Sequence, residues 1–162
     1  MKQYIGTKLI NALPMTRAAY NDFRGWVLPS NENGADEGYL VEYLDGGQAN
    51  TDRYAGYVSW SPASVFDRAY RQTSGMTFGN AIECMKLGAK VQREGWNGKG
   101  MCLYYVPPGA YPARTDAAKS LFGADALVPY KGYIAMKTVD GEVVPWLASQ
   151  TDVLSEDWKV VL

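Results

Sequence analysis

Asp140-Gly141 sits between two apolar runs, residues 133–138 and 142–146, and obliges the chain to double back on itself. Glycine accepts the positive φ of a tight hairpin turn, so the two runs are expected to pair as antiparallel strands. Pro145 has no backbone donor, which places the second run at a sheet edge or a strand end. Ser149 is followed three residues later by Asp152, the spacing of a capping box, so a short helical turn is expected to open at Ser149. Within residues 142–158, Trp146 and Trp158 bracket hydroxyls, an amide and three acids. Flat apolar rings beside polar handles suit a ring-bearing polar ligand; the same two rings can equally be core.

The rest of the chain is cut by turn residues into short elements. Residues 2–10 read as a first strand ahead of Pro14. Thr16 is placed to cap a helix carrying Ala19, Tyr20 and Phe23, with Gly25 as its stop. Residues 28–38 read as a loop and 38–44 as a strand whose partner returns over 54–60. Ser61-Pro62 opens a helix with Val65, Phe66, Ala69 and Tyr70 on its apolar face. Gln72-Thr73-Ser74-Gly75 reads as a linker. Beyond it Thr77 caps a helix with Phe78, Ala81, Ile82 and Met85 on one face, and Gly88 ends it. Residues 89–93 and 101–106 read as strands, the second placing Leu103 and Tyr105 on one face and Cys102 and Tyr104 on the other. Residues 107–129 form a long variable segment with a short helix near 117–122, and residues 158–162 a last strand. The expected class is α+β, with two small domains over residues 1–72 and 76–162. Each is an antiparallel sheet with one or two short helices.

Composition narrows the chemistry. Of 162 residues, 47% are apolar and 20% charged, the proportions of a folded chain, and the net charge of −1 argues against a general binder of nucleic-acid polymers. No run approaches the length of a membrane span, and the N-terminus lacks a secretory apolar stretch. Cys84 and Cys102 match no metal or redox spacing, so a reduced, cytoplasmic setting is expected, with no metal and no cofactor. Histidine is absent, which removes the Ser-His-Asp and Cys-His arrangements and leaves carboxylate-only, lysine-based or substrate-assisted catalysis. With 12 Tyr and 5 Trp, the chain is rich in the side chains that hold ligands and partners.

A second informative stretch is Arg93-Glu94-Gly95-Trp96-Asn97-Gly98-Lys99-Gly100. Its glycines let backbone approach a ligand and offer amide N–H groups. Arg93 and Lys99 can offset phosphate charge and Trp96 can stack on a base, while the bland alternative is an ordinary hairpin loop. Neither a Walker loop nor a dinucleotide fingerprint is present. Asp152, Glu156 and Asp157 have the chemistry of a general acid and base or of a hard-metal site, and equally of helix caps and solvated surface. No activated nucleophile accompanies them, and no catalytic residue is assigned.

Several separated segments resemble one family of small phage and prophage proteins. They are Met76-Thr77-Phe78-Gly79-Asn80-Ala81, the segment from Arg93 through Met101, Met136-Lys137-Thr138, and Val144-Pro145-Trp146-Leu147-Ala148-Ser149-Gln150-Thr151-Asp152, followed by Glu156-Asp157-Trp158. The family is Thoeris anti-defense 2, and the resemblance spans about residues 76–162. Ser155 departs from the alanine expected before Glu-Asp-Trp, and residues 107–129 are where members differ and where ligand preference can be set. The resemblance implies a non-enzymatic sponge for the cyclic ADP-ribose-type signal made by a bacterial TIR-domain enzyme, with cyclic dinucleotides as further ligands. It also implies homotetramers built from dimers, ligand pockets between protomers, and action in the host cytoplasm. The ligand-binding residues expected are Arg93, Trp96, Asn97, Lys99, Trp146, Ser149, Thr151 and Asp152. A hydrolase of the same signal and a phage structural or protein-interaction module are the competing readings. Residues 1–72 lie outside this match and resemble a module recurring in phage proteins of unassigned function.

Overall fold

The computed structural model describes residues 1–161, and the chain divides into two compact units, Met1–Arg71 and Gln72–Leu162. Both are antiparallel sheets with short helices, an α+β class.

In the first unit, β1 (Ile10–Pro14), β2 (Gly38–Tyr43) and β3 (Tyr57–Pro62) pair in the order β1-β2-β3. Helix α1 (Arg17–Arg24) opens where the Thr16 hydroxyl accepts from the Ala19 N–H at 3.3 Å and ends at Gly25. Its Tyr20 packs on Leu40 and Val58, with Met15, Phe23, Tyr54 and Trp60 around them. The first strand is shorter and later than the sequence suggests. Its register starts with Pro14 opposite Tyr39 and runs out with Ile10 opposite Tyr43, the last residue of β2. Residues 1–9 have no partner strand and are exposed. Pro14 is tolerated because β1 is an edge. Helix α2 (Ala63–Ala69) begins one step later than Ser61 would place it, because Ser61 and Pro62 are held in β3 opposite Tyr39 and Gly38. Pro62 is then the cap residue, with no side-chain bond, and α2 is held by Phe66 stacked on Tyr39 at 4.0 Å.

In the second unit, α3 (Phe78–Lys86) is capped by Thr77, and β4 (Lys90–Arg93) and β5 (Cys102–Val106) follow. The segment after Val106 contains β6 (Gly109–Pro112), α4 (Asp116–Phe122) and β7 (Leu127–Tyr130). The helix was expected and the ribbon was not. Its strands are four residues long, and Pro112 and Pro129 are accepted because both strands of an isolated pair are edges. Next come β8 (Tyr133–Lys137), β9 (Val143–Pro145), α5 (Gln150–Val153) and β10 (Trp158–Val161). This gives the unit three short helices where one or two were expected. Leu162, the end of the expected last strand, lies outside the described residues.

The sheet order is β10-β4-β5-β8-β9. The hairpin read from Asp140-Gly141 joins β8 to β9, with Gly141 at φ 91° and the Thr138 N–H donating to the Glu142 carbonyl at 2.9 Å. As an edge strand, β9 leaves the missing donor of Pro145 without consequence. Met76, Ala81, Met85, Val91, Leu103 and Trp158 form the core between α3 and the sheet.

Leu103 is fully buried and Leu147 is 92% exposed. Leu103→Ala is therefore expected to lose about 2–5 kcal/mol in urea unfolding, and Leu147→Ala less than about 0.5 kcal/mol. Equal losses would place the core elsewhere.

Candidate functional site

Four elements meet over the core face of this sheet: the last residue of β4, the turn after it, the residue after β9, and the capped turn of α5. Ser149 and Asp152 form a complete capping box. The Ser149 hydroxyl accepts from the Asp152 N–H at 3.1 Å, and Asp152 Oδ2 accepts from the Ser149 N–H at 3.1 Å and its hydroxyl at 2.6 Å. This fixes the other carboxylate oxygen. Asp152 Oδ1 accepts from Arg93 Nη1 at 3.0 Å and from the Trp96 indole N–H at 3.3 Å. The Asp152 carbonyl accepts the Trp158 indole N–H at 3.0 Å. One short helix thus anchors two indoles and a guanidinium.

Arg93 is shared. Its Nε and Nη2 donate to Asp157 Oδ1 and Oδ2 at 2.8 and 3.4 Å, while its side chain stays 15% exposed. Asp157 Oδ2 also accepts the Gly95 N–H at 3.0 Å, and its Oδ1 accepts from Ser155. A Cβ on Gly95 would stand 3.1 Å from that carboxylate oxygen, and one on Gly98 would fall 2.1 Å from Met101 Sδ. The glycines of the turn thus have packing reasons of their own. Hydrogen bonds from Arg93 hold the Asp157 carboxyl well below the usual carboxylate range, against a smaller upward push from burial. Burial pushes Asp152 up, but its bonds from Ser149, Arg93 and Trp96 together outweigh that and leave it lowered. Asp157 and Asp152 in turn raise Arg93 further above its ordinary value.

Three indoles meet edge to face above this network. Trp158 is fully buried, and Trp96 and Trp146 lie 5.5 and 6.1 Å from it and 6.2 Å from each other. Phe78 closes the group at 5.2 Å from Trp158 and 5.9 Å from Trp146. Of the two bracketing tryptophans, Trp158 is core and Trp146 packs half-buried against it. Trp96 does not stand free in its turn. It folds back onto the other two rings, because its N–H has a carboxylate to reach and two indoles pack against it edge to face, while it stays half-buried.

Of the expected residues, Arg93, Trp96, Trp146, Ser149 and Asp152 are brought together, whereas Asn97, Lys99 and Thr151 are exposed. The partner of the acids, which the sequence does not name, is Arg93, 59 residues from Asp152 and 64 from Asp157. No local signal marks a pair that far apart. Among the described residues no group of three or more His, Cys, Asp or Glu side chains could hold a metal ion.

A family model described as the Thoeris anti-defense 2-like domain matches residues 76–161, more than half of the chain. The chain belongs to that family. Thoeris anti-defense 2 of Bacillus phage SP01 is 41% identical over 87 residues, which are 53% of this chain and 94% of the relative. The Thoeris anti-defense 2-like region contains every residue of the aromatic and carboxylate cluster, and Met1–Arg71 lies outside it. No helix among the described residues is long and apolar enough to cross a membrane.

Asp152 and Asp157 titrate below their unfolded values, so the stability they contribute is present above about pH 4 and is lost as pH falls through their folded values. Arg93→Ala, which strands both carboxylates, is expected to destabilise the unit by about 1–3 kcal/mol at pH 7. It should also flatten the acid side of the stability profile. Urea midpoints from pH 2 to 7 for parent and variant, taken in steps of about one pH unit, measure both effects. Parallel profiles would remove Arg93 from its assigned place.

Proposed function

We propose that this chain binds a cyclic nucleotide immune signal and holds it away from its receptor without cleaving it. The signal is a cyclic ADP-ribose isomer made by a TIR-domain enzyme, with cyclic dinucleotides as a second class. Membership of the Thoeris anti-defense 2-like family supports an anti-defence role in the host cytoplasm. The observation that carries the reading is the half-buried Trp96–Trp146 pair, with Trp96 held by Asp152 and exposed polar groups beside it. A rigid aromatic rim loses little entropy on binding a base, which favours tight retention.

The state of the carboxylates supports binding over hydrolysis. A hydrolase needs a group that carries a proton to the leaving atom near neutral pH. Asp152 and Asp157 are both held ionised by their partners, so neither has one to give. Arg93 is already matched by two carboxylates, which leaves Lys99 and the remaining turn amides to meet phosphate. Leu147 and Leu154, 92% and 76% exposed, flank α5. Their exposure supports the homotetramer proposed here, in which a second protomer covers them and pockets lie between subunits.

Depleting a micromolar signal requires a dissociation constant near ~10 nM, or about −11 kcal/mol. Trp96→Ala is expected to weaken binding about ten- to a hundredfold by calorimetry, and Trp96→Phe less, since a ring remains. Unchanged affinity in a folded Trp96→Ala chain would move the ligand elsewhere. A titration of signal into fixed protein should break at a fixed ratio with all ligand recovered intact after denaturation; continued loss of ligand means an enzyme. Leu147→Asp combined with Leu154→Asp should lower the mass seen by light scattering, and an unchanged mass would place the subunit contact on another face.

A further inference from the structure

The sheet of the first unit has two edges, β1 and β3, and the chain treats them differently. At β3 the Val58 N–H donates to Asn50 Oδ1 and the Val58 carbonyl accepts from Asn50 Nδ2, both at 2.8 Å. A side-chain amide thus stands where another strand would pair. At β1 the Met15 N–H donates to the Gly38 carbonyl at 2.9 Å, and the register sets Pro14 opposite Tyr39. Antiparallel alternation then turns the N–H and C=O groups of Asn11 and Leu13 toward β2, and those of Ile10 and Ala12 away from it. Residues 1–9 lead into this open edge from beyond the end of β2. None of them has a positive φ, Gly6 included, so all can take extended backbone.

The sequence of residues 1–13 is complementary to itself. Met1, Ile5, Leu9 and Leu13 are all exposed and recur every fourth residue, which puts them on one side of an extended strand. With a two-fold axis at Thr7, Ile5 faces Leu9 of the second copy, Met1 faces Leu13, Tyr4 faces Ile10 and Gln3 faces Asn11. Apolar meets apolar and polar meets polar, and Lys8, paired with Asp45 at 2.9 Å, falls opposite Gly6. The outward donors are then the even residues from Lys2 to Ala12, and Pro14 lies just past the ladder. An axis at residue 8 would set Lys8 against Lys8 and Ile5 against Asn11, and an axis at residue 9 would require a donor from Pro14. We propose that residues 1–13 pair antiparallel with the same residues of a second copy, joining two first-unit sheets into one of six strands. The contact is isologous, so it closes on two copies.

Thr7 has the parity of Asn11 and Leu13, so it meets its own copy as a non-hydrogen-bonded pair, Cα to Cα about 4.5 Å, within disulfide reach. The two native thiols, Cys84 and Cys102, are removed as Cys84→Ser and Cys102→Ser. In that background the full chain with Thr7→Cys is expected to give a disulfide-linked dimer on mild oxidation. Tyr4→Cys should link at least about tenfold more slowly, because about 20 Å of strand separates it from its copy. Gly6→Pro added to Thr7→Cys removes a ladder donor beside the axis and should slow linking at least about tenfold, whereas Gly6→Ala should retain it. A Cβ at Gly6 meets nothing within 4 Å, so the unit itself is not disturbed. Equal rates for Thr7→Cys and Tyr4→Cys, the mark of free collision, would overturn the proposal, as would undiminished linking with Gly6→Pro. So would preferential linking of Thr7→Cys to Tyr57→Cys in a mixed sample, since that would put the segment on β3 of the second copy.

Discussion

The Arg93–Asp152 contact is the interaction on which the second unit depends. Asp152 is a helix cap, an indole anchor and half of an ion pair at once, and each role constrains the others. Its side chain is 14% exposed, so the carboxylate is stable there only because Ser149, Trp96 and Arg93 supply donors. Arg93 in turn sits at the last register position of β4, opposite Trp158. The sheet therefore places the guanidinium, the guanidinium orients the carboxylates, and the carboxylates fix the turn and the rings. Removing any member leaves a polar group stranded, which is why a four-residue helix with no buried residue of its own holds its place.

Local chemistry made much of the fold legible. Asp140-Gly141 specifies a hairpin because only the backbone freedom of glycine permits the turn, and Thr16, Thr77 and Ser149 announce helices because their oxygens satisfy orphan donors. The failures share one cause, dependence on a partner strand. The apolar character of residues 2–10 says nothing of β2 ending at Tyr43, and Pro112 and Pro129 argue against strands until both are known to be edges. Ser61-Pro62 has the chemistry of a helix start, yet pairing with β2 retains both residues in β3.

The candidate site was legible by residue type and not by geometry. Aromatic and polar residues at 93–99 and 146–152 point to one ligand surface, and five of the eight do meet. What a sequence cannot convey is that Arg93 spends its charge within the protein. A free arginine and one shared by two carboxylates look identical in a row of letters, but the first attracts an anion and the second contributes to a cluster of net −1.

That residual charge sets how the rim can bind. In the proposed complex, an anionic nucleotide at Trp96 and Trp146 would meet a carboxylate excess, so attraction would come from stacking and from donors outside the cluster rather than from Arg93. Stacking on indoles is insensitive to pH, and Asp152 and Asp157, held low by their partners, stay ionised through the neutral range. Tightness then rests on shape and preorganisation. In the proposed complex, the three-indole cluster, with the Trp96 N–H already on the Asp152 carboxylate and the Trp158 N–H on the Asp152 backbone carbonyl, would supply that rigidity while a second protomer excludes water. In the proposed assembly, the apolar side chains left uncovered beside α5 would be the ones a second protomer covers.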